Sequence, residues 1–502
     1  MISIKKLQNN PYYLLEILSL LCGALLAFSF APYDFPWLQF PLISFIFIAC
    51  LKQTASVAFR RGFLFGLGWF AHGIYWLFYS LYFHGGMPAP VAVVTIILLS
   101  MYMALFPALA FYLSNRFFKT ASTAIILLLV YPISWMLFDW LRGYFLTGFP
   151  WVQIGIAHID TYLAGYAPII GGLGVGLAVT IIGGLIAFSV LQSSVKKTIS
   201  AIVLIYVVGF LLSLINWTEA VDEPIKVSMI QGNIPQAEKW KAENYQPTLQ
   251  MYRELTKQHW SSDLIIWPET AIPGFKRRVP YYLAQLAEEA KATNTDVMLG
   301  LFTRNAQSQR YYNSMITLDN QVYLKRHLVP LGEYFPLRPL LGFFAQWVDI
   351  PMSDIDSGED VQPLIEVAGQ KIGLSICFED VFDRDVLLDL PEATLLVNVS
   401  NDAWFENSSQ PWQHHQIARM RALETGRVLL RVTNTGVSSI IDRNGDVLHI
   451  SPQFKRHVIT ANVQAYKGST PYVMWANYLL IIFGLMTLII IYWKPRTNKA
   501  DK

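Results

Sequence analysis

Long apolar segments fill the first 217 residues of this 502-residue chain, and they constrain its fold more than any other feature. Residues 1–217 contain only 10 lysines and arginines and 4 aspartates and glutamates, whereas residues 218–470 contain 24 and 30. A helix that crosses a membrane needs about 20 mostly apolar residues. The pattern excludes an ordinary cytosolic enzyme. It predicts a transmembrane domain at 1–217, a soluble domain at 218–470, and a last transmembrane helix with a short tail at 471–502.

Eight segments have the length and composition of transmembrane helices, seven before the soluble domain and one after it. They lie at 12–31, 36–52, 62–83, 88–113, 121–141, 162–191, 198–217 and 472–493. The second segment is the weakest of these, because prolines interrupt its start and it is close to the minimum length.

The lysines and arginines of the short loops set the orientation of these helices. In the eight-helix arrangement, 13 of them lie on one side of the membrane and only Arg142 lies on the other. Because such residues mark the cytoplasmic side, the soluble domain is predicted to be periplasmic in a bacterium with two membranes. The alternative is a cleaved signal peptide at the N-terminus, but the first apolar run is longer than usual for one, and more helices follow.

The soluble domain alternates β-branched apolar runs with helical patterns, which is typical of a layered α/β fold. Reactive groups in such folds collect just beyond the carboxyl ends of strands. Glu269 closely follows the apolar run at 264–267, and Cys377 directly follows the run at 371–376. A carboxylate in that position is poorly explained as a solvated surface charge, so both residues are candidates for chemistry.

Cys377 is the only cysteine of the soluble domain, since Cys22 and Cys50 lie in predicted transmembrane helices. A lone thiol in an oxidising compartment is a liability unless it has a function; burial in a core is the alternative. A free thiol has a pKa of about 8.5 and needs a base to become a nucleophile. A carboxylate as base and a lysine as stabilising charge would complete a set for acyl transfer through a thioester, and Glu269 and, in the run at 323–330, Lys325 are residues of these types. Spacing alone does not distinguish these two residues from surface charges.

Three short motifs carry a resemblance to a known superfamily. WPET at 267–270, HLVPLGEY at 327–334 and CFED at 377–380 resemble the nitrilase, or carbon–nitrogen hydrolase, superfamily. That resemblance implies an αββα sandwich with a Glu-Lys-Cys triad. Further strings are similar to the apolipoprotein N-acyltransferase family within it. These are QGNIPQAEKW at 231–240, NVSNDAWF at 398–405, RALETGRVLLRVTNTGVSS at 421–439, and, in the membrane part, FAPYDFPW, FGLGWFAHGIYWLFYSL and WLRGYFLTGFPWVQIG.

The resemblance implies a role for each matching residue. Glu269 is then the general base, Lys325 the charge stabiliser and Cys377 the nucleophile. Four other positions match supporting residues: Glu333, a second carboxylate; Trp240, a substrate-binding aromatic; and Phe378 and Glu379, which follow the cysteine. The family usually has tyrosine where this chain has Phe378, so packing or the backbone N–H remains as the role expected there.

The activity implied by the resemblance is the last acylation of bacterial lipoprotein maturation. An acyl chain passes from a phospholipid, such as phosphatidylethanolamine, through a thioester to the N-terminal S-diacylglyceryl cysteine of an apolipoprotein, with ping-pong kinetics. The setting is the bacterial inner membrane, with the catalytic domain in the periplasm. No cofactor or metal is expected, because His414 and His415 lack the spacing of a helical zinc pair. No nucleic-acid partner is expected from a soluble domain of net charge −6.

Two other functions are compatible with part of the pattern. One is a membrane-tethered amidase or nitrilase that releases acyl groups to water. The other is a sensor or transporter with an inactive hydrolase domain, which the intact triad and the isolated membrane carboxylates Glu16 and Asp139 argue against. The apolar stretch at 334–353 is either core or a lid that contacts lipid. Its large apolar residues are Tyr334, Phe335, Leu340, Leu341, Phe343, Phe344, Trp347 and Val348.

Overall fold

The computed structural model describes residues 12–305, 309–334 and 355–493. The chain divides into two compact units. Of the described residues, the helical unit contains those up to Tyr75, Val94–Ile215, and those from Trp475 onward. The α/β unit contains Trp76–Val93 and Asn216–Met474.

The longer helices of the described residues follow one another without intervening strands up to residue 213, and beyond it they alternate with strands. In chain order they are α1 (Tyr12–Leu26), α2 (Gln39–Cys50), α3 (Ala55–Gly73), α4 (Ala89–Phe117), α5 (Thr123–Arg142), α6 (Ala167–Gln192), α7 (Val195–Ser213), α8 (Ala242–Lys257), α9 (Pro280–Thr293), α10 (Gln410–Thr425) and α11 (Tyr478–Trp493).

The apolar helices of the helical unit are those of a membrane protein. Four segments of the described residues are long and apolar enough to span a bilayer: α4, α5, α7, and Tyr162–Gln192, which contains α6. Helices α1, α2 and α11 are apolar but belong to shorter segments, and the predicted total of eight spans is therefore not confirmed. Within the unit, α1 packs on α3 and α2 packs on α6.

The third predicted segment, 62–83, is placed differently by the structure. Helix α3 begins at Ala55, because the Thr54 side chain accepts a hydrogen bond from the Val57 N–H (3.3 Å) and caps the helix. The helix ends at Gly73, and a separate π-helical turn covers Tyr79–His84. Arg60 and Arg61 therefore lie inside a helix, not in a loop.

Glu16 and Asp139 are paired, so the interpretation of isolated membrane carboxylates is wrong. Arg60 Nη2 lies 2.8 Å from Glu16 Oε1, and Arg142 Nη2 lies 2.5 Å from Asp139 Oδ1. The second pair is buried, and its partners are three residues apart on α5, where side chains of a helix meet. The predicted loop position of Arg142 is wrong, because the residue is the last of α5.

The α/β unit contains two six-stranded sheets. The strands are β1 (Thr218–Gln231), β2 (Leu264–Ile266), β3 (Asp296–Arg304), β4 (Tyr311–Thr317), β5 (Val322–Leu324), β6 (Ile365–Val367), β7 (Gln370–Ile376), β8 (Leu395–Ser400), β9 (Leu429–Thr433), β10 (Ser439–Ile441), β11 (Val447–Ile450) and β12 (His457–Gly468). Their order is β12-β1-β2-β3-β4-β5 in the first sheet and β11-β10-β9-β8-β7-β6 in the second.

Apolar side chains of both sheets form one central core, so the sheets pack face to face. Met229 and Ile266 of the first sheet share this core with Leu374 and Val397 of the second. Helices α8 and α9 cover the outer face of the first sheet, and α10 covers that of the second. The αββα sandwich is thus confirmed. Strand β2 is parallel to β1 and β3 in the first sheet, and β8 is parallel to β7 and β9 in the second. The carboxyl ends of these strands therefore collect side chains at one edge of each sheet.

Candidate active site

Glu269 lies just beyond the end of β2, and its carboxylate is almost completely buried. Its Oε1 accepts a hydrogen bond from Asn313 Nδ2 (2.7 Å) and is 3.7 Å from Lys325 Nζ. Its Oε2 accepts one from the backbone N–H of Asn401 (2.9 Å). Both oxygens are therefore held in fixed directions, as a general base requires.

Lys325 directly follows β5 and has only 1% of its surface exposed. Its Nζ donates to Glu333 Oε1 (2.8 Å) in addition to its contact with Glu269. Burial acts to lower the pKa of Lys325, but the Glu333 and Glu269 carboxylates outweigh it and raise the pKa above its ordinary value. The lysine is consequently a permanently charged group between two carboxylates.

Cys377 directly follows β7 and begins the 3₁₀ turn Cys377–Val381. Its φ of +55° lies in the left-handed region, which is strained for a residue with a Cβ. Asn398 Nδ2 donates to the Cys377 carbonyl oxygen (3.1 Å). Burial raises the pKa of the thiol, the charge of Glu269 adds to this, and Lys325 opposes it. The resting group is a thiol that needs a base.

Glu333 and Glu379 have different surroundings, although both are predicted supporting residues. Glu333 Oε1 contacts Lys325, and its Oε2 accepts from the Val329 N–H (2.8 Å). Glu379 accepts from the Tyr323 hydroxyl (2.9 Å) and from the backbone N–H groups of Ile376, Arg326 and His327. Burial raises the pKa of Glu379 to about 7, and the backbone hydrogen bonds oppose the rise. Glu379 thus ties the cysteine turn to the loop that holds the lysine.

Phe378 packs its ring against other rings. The centroid of the ring is 5.0 Å from that of Phe382, edge-on, and 6.0 Å from that of His327. The role expected of a phenylalanine here, packing, fits these contacts.

Trp240 lies one residue beyond the short helix Gln236–Lys239, with its ring centroid 6.0 Å from that of Phe302. Its indole N–H makes no hydrogen bond to any described residue. The neighbouring Lys239, which the sequence did not single out, is buried and donates to the Glu269 carbonyl oxygen (3.3 Å). Burial lowers the pKa of Lys239 to about 8, against the opposing effect of Glu269.

Beneath the cysteine turn, four buried charged side chains form a cluster: Asp380, Asp402, His414 and Arg431. His414 Nε2 lies 2.6 Å from Asp380 Oδ1, and its Nδ1 lies 3.7 Å from Asp402 Oδ1. Arg431 lies 3.6 Å from Asp380 and 3.2 Å from Asp402. Although burial opposes it, Arg431 and His414 lower the pKa of Asp402 to about 2. Each carboxylate therefore has two cationic partners.

Metal ligands do not converge in the described ranges, where no three His, Cys, Asp or Glu side chains are placed to hold an ion. His414 is occupied by the two aspartates, and His415 Nε2 lies 2.9 Å from Ser439 Oγ.

Two family models match the two parts of the chain. "Carbon-nitrogen hydrolase" matches residues 226–472, and "Apolipoprotein N-acyltransferase N-terminal domain" matches residues 22–185. A protein of Methylococcus capsulatus named apolipoprotein N-acyltransferase is 42% identical over 469 residues, 92% of each chain. The chain belongs to the apolipoprotein N-acyltransferase family.

Other members of the family match over a similar length. The Nitrosomonas europaea apolipoprotein N-acyltransferase is 40% identical, covering 96% of this chain and 97% of its own. That of Coxiella burnetii is 35% identical, covering 94% of this chain and 100% of its own. Among solved structures, Nit3 of Saccharomyces cerevisiae is 17% identical over 49% of this chain and 93% of its own, with a TM-score of 0.37. The family assignment rests on the sequence relatives.

In this N-acyltransferase family member, the structure brings Glu269, Lys325, Glu333 and Cys377 together at neighbouring strand ends. Trp240 follows Lys239, which donates to the Glu269 carbonyl oxygen, and Glu379 joins the cysteine turn to the loop of Lys325. Of the apolar stretch at 334–353, only Tyr334 belongs to the described residues. The other predicted lid residues, Phe335, Leu340, Leu341, Phe343, Phe344, Trp347 and Val348, lie outside them.

Several residues that hold the site were missed by the sequence interpretation. Asn313 donates to both Glu269 and Glu333, at 2.7 and 3.3 Å, and Asn401 and Asn398 hold the base and the cysteine turn. Asn398 and Asn401 belong to the string NVSNDAWF, which was used only as a family signature. The available signal was Asn398 within an apolar strand, with Asn401 and Asp402 directly after the strand.

Proposed function

We propose that this protein N-acylates apolipoproteins, taking the acyl chain from a phospholipid such as phosphatidylethanolamine. The acceptor is the free α-amine of an S-diacylglyceryl cysteine at the lipoprotein's N-terminus. The observation that carries the proposal is the placement of Lys325 between Glu269 and Glu333 at the strand end next to Cys377. The names of the relatives support the same activity.

In the first half-reaction, Glu269 takes the proton of the Cys377 thiol, and the thiolate attacks the carbonyl carbon of the sn-1 ester. Lys325 is the cation that stabilises the oxyanion formed on attack. The bond between the carbonyl carbon and the glycerol oxygen then breaks. Glu269 returns its proton to that oxygen, so lysophospholipid leaves and the acyl chain remains as a thioester.

In the second half-reaction, the α-amine of the lipoprotein attacks the thioester carbon. Glu269 accepts the proton that the amine loses, and the carbon–sulfur bond breaks to give an amide. The Cys377 thiolate is then reprotonated, which restores the starting enzyme. Phospholipid and lipoprotein therefore use one site in turn, and ping-pong kinetics are expected.

The experiment that tests this function separates amine from water as the acyl acceptor. The purified protein is incubated with phospholipid alone, and Cys377 is examined by mass spectrometry for an acyl adduct. A diacylglyceryl peptide is then added. We expect a stable adduct before the addition and an acylated peptide after it. Rapid release of fatty acid without peptide would instead identify an amidase-like hydrolase.

We further propose the membrane arrangement in which residues 1–217 form seven transmembrane helices, 218–470 a periplasmic catalytic domain, and 471–502 an eighth helix with a cytoplasmic tail. In this arrangement, 13 lysines and arginines lie in loops or within two turns of a helix end on one side, and Arg142, at the end of α5, lies on the other. This distribution supports the orientation in a bacterial inner membrane. Both substrates carry long acyl chains, which explains why a hydrolase-like domain is joined to apolar helices.

Reporter fusions test the orientation directly. A reporter that is active only in the periplasm is expected to be active when fused after Trp217, and a reporter fused after Lys494 is expected to register the cytoplasm. If both fusions register the cytoplasm, the proposed topology is wrong.

Trp240→Ala is expected to separate the half-reactions. Trp240 has no acid–base chemistry, and its indole N–H, which makes no hydrogen bond to a described residue, is the group proposed to bind the lipoprotein substrate. The variant should acylate Cys377 from phospholipid at a rate close to that of the unaltered protein, but transfer the chain to a diacylglyceryl peptide at least tenfold more slowly. Single-turnover acylation and transfer from preformed acyl-enzyme are the two measurements. An acylation defect as large as the transfer defect would contradict this role.

A further inference from the structure

Ser400 lies next to the nucleophile because of the register of two parallel strands. Ile376 of β7 is paired with Val399 of β8, so the residues that follow, Cys377 and Ser400, are side by side at the carboxyl ends. The Ser400 side chain is completely buried, and its hydroxyl acts to lower the pKa of the adjacent Cys377 thiol. The backbone N–H of the next residue, Asn401, binds the Glu269 carboxylate. The end of β8 thus contacts both the thiol and the base.

The Ser400 hydroxyl also has a second partner. Ser400 Oγ donates to Asp402 Oδ1 (2.8 Å). Asp402 does not depend on this bond, since Arg431 Nη2 lies 3.2 Å from its Oδ2 and His414 Nδ1 lies 3.7 Å from its Oδ1. Asp402 can therefore lose the serine hydrogen bond without becoming an unpaired buried charge.

A hydroxyl group has a single proton to donate, so its two partners compete for it. In the resting site the serine donates to Asp402, which leaves its oxygen facing the protonated thiol as an acceptor. When Glu269 removes the thiol proton, the sulfur becomes an anion that needs a hydrogen-bond donor. Rotation about the Cβ–Oγ bond of Ser400 turns its O–H towards the sulfur and so supplies this donor without any movement of the backbone.

We propose that Ser400 is a further catalytic residue, whose hydroxyl turns from Asp402 to the Cys377 sulfur when the thiolate forms. Ser400 would stabilise the thiolate as nucleophile in the first half-reaction and as leaving group in the second. The proposal rests on the proposed function, which makes Cys377 the nucleophile.

The test measures the reactivity of Cys377 without any lipid, so it does not depend on acyl transfer. Full-length protein in detergent is treated with iodoacetamide across a pH series, and the Cys377 peptide is followed by mass spectrometry. The rate reports the thiolate fraction. Ser400→Ala is expected to raise the midpoint pH of this profile by about one unit, because the thiolate loses its donor.

Ser228→Ala is the matched control. Ser228 is also completely buried on a strand, and its hydroxyl is bonded to Ser262 (2.8 Å) and Thr460 (2.6 Å), away from the site. Ser228→Ala removes the same buried hydroxyl group, so its effect on Tm should be similar. It should, however, leave the midpoint pH of Cys377 alkylation unchanged. Equal midpoints in the two variants would overturn the proposal.

A second pair of variants compares the hydroxyl with a methyl at constant shape. Ser400→Thr should keep the midpoint of the unaltered protein, and Ser400→Val should show the upward shift. This pair decides the question if Ser400→Ala does not fold. The same midpoint in both variants would overturn the proposal, even if acyl transfer to lipoprotein is demonstrated.

Discussion

Cys377→Ala is expected to abolish formation of the acyl adduct entirely, because no other thiol of the described α/β unit can form the thioester. The adduct is measured by mass spectrometry of the intact protein after incubation with phospholipid. Cys377→Ser should be inactive as well, since a serine hydroxyl needs a far stronger base than a thiol does. Neither substitution removes the hydrogen bond that Asn398 Nδ2 donates to the backbone carbonyl oxygen of residue 377, so the turn should be retained.

The other two cysteines provide the matched controls for this experiment. Cys22→Ala and Cys50→Ala should form the adduct normally, because both residues belong to α-helices of the helical unit. Alkylation of Cys377 should stop the reaction in all of these proteins. An adduct of normal yield in Cys377→Ala would reject the mechanism.

Glu269→Gln is expected to slow thioester formation by about 10²–10⁴-fold, the usual contribution of a general base. Glutamine retains the size of the side chain but cannot accept the thiol proton. The NH₂ group of the glutamine would also face an N–H donor, either the Asn401 backbone N–H or Asn313 Nδ2. This repulsion displaces the side chain, so part of the loss of activity comes from the displacement. The measurement is single-turnover acylation from phospholipid.

Glu269→Asp separates these two contributions. The aspartate can accept a proton but lies one methylene group further from the thiol, so its activity should fall between that of the glutamine variant and the unaltered protein. Acylation by Glu269→Gln at an unaltered rate would mean that another group is the base.

The central features of the site could be predicted because they are local in sequence. Glu269 and Cys377 each follow an apolar strand, and strand ends are where α/β folds place reactive groups. Lys325 was different: it follows the three-residue strand β5, too short to stand out, and only the resemblance pointed to it. Its contact with Glu333 is created by the loop that returns eight residues later.

The supporting network could not be predicted, because its partners are distant in the chain. The nearest hydrogen-bond partners of Glu269 are residues 313 and 401, which other strands bring into place. The predicted helix boundaries were wrong for the opposite reason, because single side chains near the helix ends decide where a helix begins. Thr54 starts α3 seven residues before the predicted segment, because a capping side chain outweighs two charged residues in the first turns.

Glu269 and Cys377 belong to opposite sheets of the sandwich, and the Asn401 N–H joins them by binding the base of the first sheet from the end of a strand in the second. Catalytic competence and assembly of the domain are therefore one event. A chain in which either sheet has not yet folded carries a thiol without an adjacent base, and so it reacts slowly with esters. Under the proposed mechanism, newly made protein therefore forms no acyl adduct until both sheets have come together.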